Sequence, residues 1–154
     1  MTSRREMMMR SASVAGMLAA LGMLPAQSLA QAGWNKAAFE AKSLNDVMKA
    51  LGGARPIESK DILLQAPDIE ENGAQVPIAA STRLPGVKRL LLLVEKNPNM
   101  LSALFDFTDA VEPSVAIRLK MDQSSKVYAV MMMNDGRVLF AHKDVGVTLG
   151  GCGE

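Results

Sequence analysis

Three features of the sequence predict a mainly β protein, an immunoglobulin-like antiparallel β-sandwich with a short N-terminal helical region and a flexible C-terminal arm. Helical periodicity is confined to one early segment. Beyond Pro56, seven or eight short extended segments alternate with turn signals. The last residues are too rich in glycine to contribute side chains to a core.

The chain opens on an export signal rather than a structural element. Ser3-Arg4-Arg5-Glu6-Met7-Met8-Met9 places paired arginines just before an apolar run, Ala12 to Leu24. Pro25 and the small residues ending in Ser28-Leu29-Ala30 follow. That is a charged region, an apolar region and a small-residue cleavage site in the order a secretory leader requires. The paired arginines point to the twin-arginine route and hence to a periplasmic protein. Residues 1–30 are therefore read as a signal peptide, with cleavage after Ala32 the other option. A β-sandwich domain then spans 31–149 and an arm 150–154. The leader carries Arg4, Arg5, Arg10 and Glu6, so its removal takes the formal charge from +1 to about −1.

The helical segment comes first in the domain. Leu44, Val47, Met48 and Leu51 fall at i, i+3, i+4 and i+7 on one face. Ser43 with Asp46 resembles an N-terminal cap, and Gly52-Gly53 supplies a stop. The stretch from Trp34 to Lys42 either extends this helix or forms a separate turn.

Extended candidates follow at Asp61–Ala66, Gln75–Thr82, Val87–Glu95, Met100–Thr108, Ser114–Met121, Lys126–Met133, Arg137–Lys143 and Gly146–Leu149. Leu90 to Val94 is apolar on both faces, as a central strand is, whereas Val115, Ile117, Leu119 and Met121 alternate with polar or small residues. Asn134-Asp135-Gly136 is a hairpin turn signal, and Pro85-Gly86 and Asn97-Pro98-Asn99 mark two further turns. Pro77 cannot donate to a ladder, which assigns its strand to an edge. Met131-Met132-Met133 puts apolar side chains on both faces of one strand. One face belongs to the core, and the other is either a second core or a subunit contact.

Composition excludes several functions. Of 154 residues 49% are hydrophobic and 21% charged, an ordinary globular balance. A net charge of +1 offers nothing to nucleic acid or to an anionic membrane. No apolar run is long enough to span a bilayer. The sequence has no HExxH, no CxxC and no phosphate-cradling glycine loop, so neither a metal nor another cofactor is expected and no catalytic residue is assigned. His142, the single histidine, reads as structural, and Asp68, Glu70 and Glu71 read as a solvated acidic turn.

The anomaly is the tail, Val147 to Glu154, "VTLGGCGE", which holds the only cysteine. An exported protein with one thiol has no internal disulfide partner for it. Gly150, Gly151 and Gly153 make a thin tether around Cys152, able to carry the sulfur into a narrow pocket on another protein. Glu154 and the chain terminus are negative, which opposes thiolate formation, and no base sits beside the thiol in sequence. Such a cysteine suits a handle that other enzymes load and unload. The competing reading is a non-catalytic interaction module whose tail thiol is incidental or forms an intermolecular disulfide.

The tail, with "LLQAPDIEENGAQVPIAA" and "LLLLVEKNPNMLSALFDF" in the middle of the chain and the twin-arginine leader, resembles the SoxY family, sulfur carriers of bacterial thiosulfate oxidation. The resemblance covers essentially the whole chain. It implies covalent attachment of sulfur at Cys152 on a swinging arm of Gly150, Gly151 and Gly153, with no turnover by the carrier itself. It also implies pairing with SoxZ, a second small β subunit. SoxAX, a c-type cytochrome complex, would load thiosulfate. The hydrolase SoxB would release sulfate, and in some organisms the dehydrogenase SoxCD would oxidise the sulfur that remains. One position departs from the family's Gly-Gly-Cys-Gly-Gly ending. Glu154 replaces the last glycine and adds bulk and charge at the tip.

Overall fold

The computed structural model describes residues 35–150. Two short helices come first, α1 at Lys36–Glu40 and α2 at Leu44–Ala50. The segment Trp34–Lys42 thus contributes a separate helix; Trp34 itself lies outside the described residues. Ser43 caps α2, its Oγ accepting from the Asp46 N–H at 3.1 Å, and Gly52 at φ 69° ends the helical run. Asn35 accepts from the Ala38 N–H and donates to the Ala50 carbonyl, which ties the start of α1 to the end of α2.

Nine strands follow: β1 Ile57–Glu58, β2 Ile62–Gln65, β3 Ile69–Asn72, β4 Val76–Thr82, β5 Val87–Val94, β6 Leu101–Asp106, β7 Ser114–Leu119, β8 Ser125–Met133 and β9 Val138–Leu149. They form a six-stranded sheet in the order β1-β9-β8-β5-β6, with β3 also on β9, and a three-stranded sheet β2-β4-β7. The sheets face each other as an immunoglobulin-like sandwich. Ile62, Val76, Ile78 and Leu119 from the small sheet meet Leu90, Leu92, Val127, Met131 and Val145 from the large one.

A second core lies on the other side of the large sheet. There Leu91, Leu93, Val130 and Val138 pack against Ala38, Val47 and Met48 of the helices. This is why β5 is buried on both faces, and it resolves the methionine triplet. Met131 and Met133 face the sandwich interior while Met132 packs on the helix side, so both faces are core.

Three features differ from the sequence reading. β4 is the middle strand of its sheet rather than an edge, yet at Pro77 only β7 is paired, because β2 pairs no further than Ala79. The side of β4 away from β7 is therefore unpaired at Pro77, where a residue without an N–H is tolerated. The two segments Arg137–Lys143 and Gly146–Leu149 are one strand. Gly146 supplies a close approach instead of a break, since a Cβ there would sit 3.3 Å from the Asp68 carbonyl oxygen, and its N–H donates to that oxygen at 2.8 Å. The stretch Asp68–Glu71 is more than an acidic turn. Glu70 and Glu71 belong to β3, which runs parallel to β9 with Ile69 opposite Gly146 and Asn72 opposite Leu149.

β1 also pairs parallel to β9, with Ile57 opposite Leu139. The segment 57–72 thus starts on the β9 edge, crosses to the small sheet as β2, and returns to the same edge as β3. Strands that switch sheets in this way close the corners of sandwiches. The sandwich is therefore antiparallel except along the outer edge of β9.

Candidate functional site

Gly150 is the last described residue; Gly151, Cys152 and Gly153 lie outside the described residues. What the structure describes is the base from which the tail departs. β9 leads to it, and its side chains leave the core gradually: Val145 is buried, Val147 half-buried against the core, and Leu149 70% exposed. Beyond Val145, only Val147 still packs partly against the sandwich core. Polar contacts supply the rest of the hold.

On one side β3 supplies a parallel ladder, and Thr148 Oγ1 donates to the Glu71 carbonyl at 3.1 Å. On the other side the Val147 N–H donates to Ser124 Oγ at 2.8 Å, with the Val147 carbonyl 3.3 Å from the same hydroxyl. The loop carrying Ser124 is pinned in turn. Asn97 Nδ2 donates to the Lys120 carbonyl at 2.7 Å, and Asn97 Oδ1 accepts from the Asp122 N–H at 3.0 Å. The Met121 N–H donates to the Gly73 carbonyl at 2.7 Å. A Cβ at Gly150 would overlap the Asp122 carbonyl oxygen. The first glycine of the arm is thus seated against this loop, and a side chain cannot be placed there without moving backbone.

Asn97, Asp122 and Ser124 were not read from the sequence as part of the site. Asn97 was legible only as a turn residue, and a serine between Gln123 and Ser125 carries no pattern. Their role depends on a long-range pairing that only the fold reveals.

Among the described residues no group of three or more His, Cys, Asp or Glu could hold a metal. His142 stands in β9 on the outer face, its ring centroid 5.8 Å from Tyr128 and 6.2 Å from Phe140, with Nδ1 3.5 Å from Glu58 Oε1. Tyr128 donates to Glu95 Oε1 at 3.3 Å. Burial, then the negative charge of Glu95 and the hydrogen bond to it, hold the phenol above its ordinary pKa, so it stays protonated at neutral pH. This cluster is an aromatic surface with carboxylates at its rim.

The family model for the sulfur oxidation protein SoxY matches residues 47–152, from the second helix to the cysteine. The chain belongs to the SoxY family. Among solved structures it is similar to the sulfur carrier protein SoxY from Chlorobium limicola f thiosulfatophilum, at 28% identity and a TM-score of 0.61, over 68% of this chain and 94% of that one. A superoxide reductase (neelaredoxin) from Ignicoccus hospitalis shares the fold alone, at 19% identity and a TM-score of 0.51, over 69% of this chain and 89% of that one. No curated protein matches. A carrier role in sulfur oxidation follows from the SoxY family and from its solved relative.

Proposed function

We propose that this SoxY-family chain is a periplasmic carrier of thiosulfate oxidation that holds sulfur intermediates covalently on Cys152 and presents them to partner enzymes. The observation that carries the reading is the held base from which the tail departs. The family match runs to Cys152, while the strand leading to it is fixed through Leu149 and Gly150 is seated against Asp122. A held base with a thin extension is what a swinging arm requires, since the base sets direction and Gly151 and Gly153 leave the sulfur free to enter a partner's pocket.

Loading joins the thiol to thiosulfate with loss of one proton and two electrons, giving a Cys–S–SSO3 adduct of one negative charge. A SoxAX-like cytochrome would accept the electrons, a SoxB-like hydrolase would release sulfate, and a SoxCD-like dehydrogenase would act on the remaining sulfane. A SoxZ-like subunit would complete the carrier. The twin-arginine leader at residues 1–30 supports export. The chain itself performs no turnover and needs no cofactor beyond the adduct.

The test is intact-mass and C-terminal peptide mass spectrometry on protein from thiosulfate-grown cells, with and without reductant. A reductant-sensitive sulfur adduct confined to Cys152 is expected. A bare thiol under every condition, with partner binding retained, overturns the carrier reading in favour of an interaction module.

A further inference from the structure

The outer face of the large sheet is only partly roofed by α1 and α2. Side chains alternate along β8 and β9, so Tyr128, Val130 and Met132 share this face with Val138, Phe140 and His142. Val130 and Val138 are buried beneath the helices, whereas Tyr128 and Phe140 are half-buried and His142 is exposed. Tyr128 lies opposite His142 on the ladder, and the Tyr128 and Phe140 ring centroids are 6.1 Å apart. With the two His142 contacts, the three rings form one continuous platform. Ile57 and Ile69, both exposed, add apolar surface where β1 and β3 meet β9.

The charge around this platform is mostly of one sign. Glu58 Oε1 lies 3.5 Å from His142 Nδ1, Glu95 accepts from the Tyr128 hydroxyl at 3.3 Å, and the charge of Asp144 also reaches that phenol. Several other carboxylates carry their own cations: Asp106 has Arg89, Asp135 has Arg137 and Asp68 has Lys143. Glu58 and Glu95 pair with no lysine or arginine among the described residues. Lys126 stands across the ladder from Asp144 and offsets that charge in part. Aromatic rings attract cations to their negative faces, and a carboxylate beside them takes the fork of a guanidinium. A lysine ammonium uses the charge but not the planar stacking.

We propose that this aromatic face is a docking site for an arginine-bearing basic segment of a partner protein, the guanidinium lying over the Tyr128 and His142 rings and held by Glu58 and Glu95. The inference rests on the carrier reading for why a partner comes, and it names the contact that holds it. β9 leads from this platform to the arm: His142 is eight residues before Gly150, about 26 Å of strand. A protein docked on the platform therefore leaves the arm uncovered, and its own pocket, within a domain's width, receives Cys152. Contact of this kind is partly solvated and weak, so it is released quickly, which suits a carrier that serves several partners in turn.

The test uses the full chain with its thiol kept reduced and a defined probe, the peptide acetyl-Gly-Arg-Arg-Gly-amide. Controls carry lysine, or the neutral isostere citrulline, in place of both arginines. Amide and aromatic NMR shifts are followed during titration at low and high salt. Expected are saturating shifts at Tyr128, Phe140 and His142 with the arginine peptide, several-fold weaker binding of the lysine peptide and none of the citrulline one. Glu58→Gln combined with Glu95→Gln, both at exposed positions, should weaken arginine binding about three- to tenfold, and high salt should act in the same direction. His142→Leu, which keeps apolar area but removes one ring, should weaken it about two- to fivefold. In loading assays with partner enzymes, the carboxylate double variant should raise the KM for the carrier and leave kcat unchanged. Equal shifts with arginine and citrulline peptides, equal binding by natural and double-variant chains, or an unchanged KM overturn the docking face and leave the carrier reading intact. Arginine binding as expected, with only bare thiol in thiosulfate-grown cells, overturns the carrier reading alone.

Discussion

The two ends of β9 are held by different forces. At its start, Val138 and Leu139 are buried, one in each core, and the strand is joined to β8 by the Asn134-Asp135-Gly136 turn with Gly136 at φ 88°. At its end, Val147 touches the core only in part and Thr148 and Leu149 leave it, so that Ser124, Thr148 and the β3 ladder supply most of the hold. Apolar packing stabilises through area removed from water and is indifferent to direction. Hydrogen bonds contribute less energy but fix orientation. The first end secures the fold; the second aims the tail.

Breaking the packed part of the large sheet should have the largest effect on stability. Leu91 is fully buried between the large sheet and the helices. Leu91→Ala is expected to lower unfolding free energy by about 2–5 kcal/mol in urea titrations. Loading of Cys152 per folded molecule should be unchanged. A loading defect in the folded fraction would contradict the division between the two ends.

The reverse pattern is expected at the seat of the arm. Gly150→Val forces the tail away from Asp122, and because the contact lies at the surface end of β9 its stability cost should stay near 1–3 kcal/mol. Loading by partner enzymes should fall about tenfold, as misplacement of a reacting group does. Gly151→Val tests the thin stem separately, and equal loading by both variants and the natural chain would sink the swinging-arm argument.

Removing the bracket should be milder. Ser124→Ala leaves the Val147 N–H without its partner and is expected to cost about 1 kcal/mol. Its specific signature is faster amide exchange at Val147 with little change at Val138. Uniform exchange along β9 would mean that the end of the strand is not held locally.

The smallest effect lies at the hairpin turn, where acid is the probe. The Arg137 backbone N–H and then its guanidinium hydrogen-bond the Asp135 carboxylate, lowering its pKa below the ordinary value near 3.8. A lowered folded pKa gives stability that is present above the unfolded value and lost as pH falls through the folded one. Asp135→Asn should therefore flatten the acid limb of the stability curve slightly below pH 4, and leave stability near pH 7 reduced only marginally. An unaltered acid limb would show that the turn contributes nothing to pH dependence.

Much of the fold was legible because it depends on local pattern. The β5 run Leu90–Val94, the Ser43 cap and the Asp-Gly turn each announce themselves within a few residues. β1 and β3 were not legible, since β1 has two residues and Glu70-Glu71 has the composition of a loop. Both are strands only because β9 offers an edge to them. Gly146 misled for a related reason: its value is the space it leaves for Ile69 and the Asp68 carbonyl, a neighbour 77 residues and more upstream in the chain. At the site, Cys152 and its glycines stand out in the sequence, whereas Asn97, Asp122 and Ser124, which seat the arm, emerge from long-range contact.

β9 has a further consequence for how the molecule is made. It is the last strand to leave the ribosome, yet it lies inside the six-stranded sheet, with β8 on one side and β1 and β3 on the other. A nascent chain stopped before it leaves β1 and β3 without the strand they pair with and exposes the long edge of β8. Prematurely ended chains therefore carry an open sheet edge that invites aggregation. Every molecule that closes the sheet has been translated through Leu149, three residues short of the thiol. Completing the fold is, in effect, an inspection that passes only chains about to receive their cysteine.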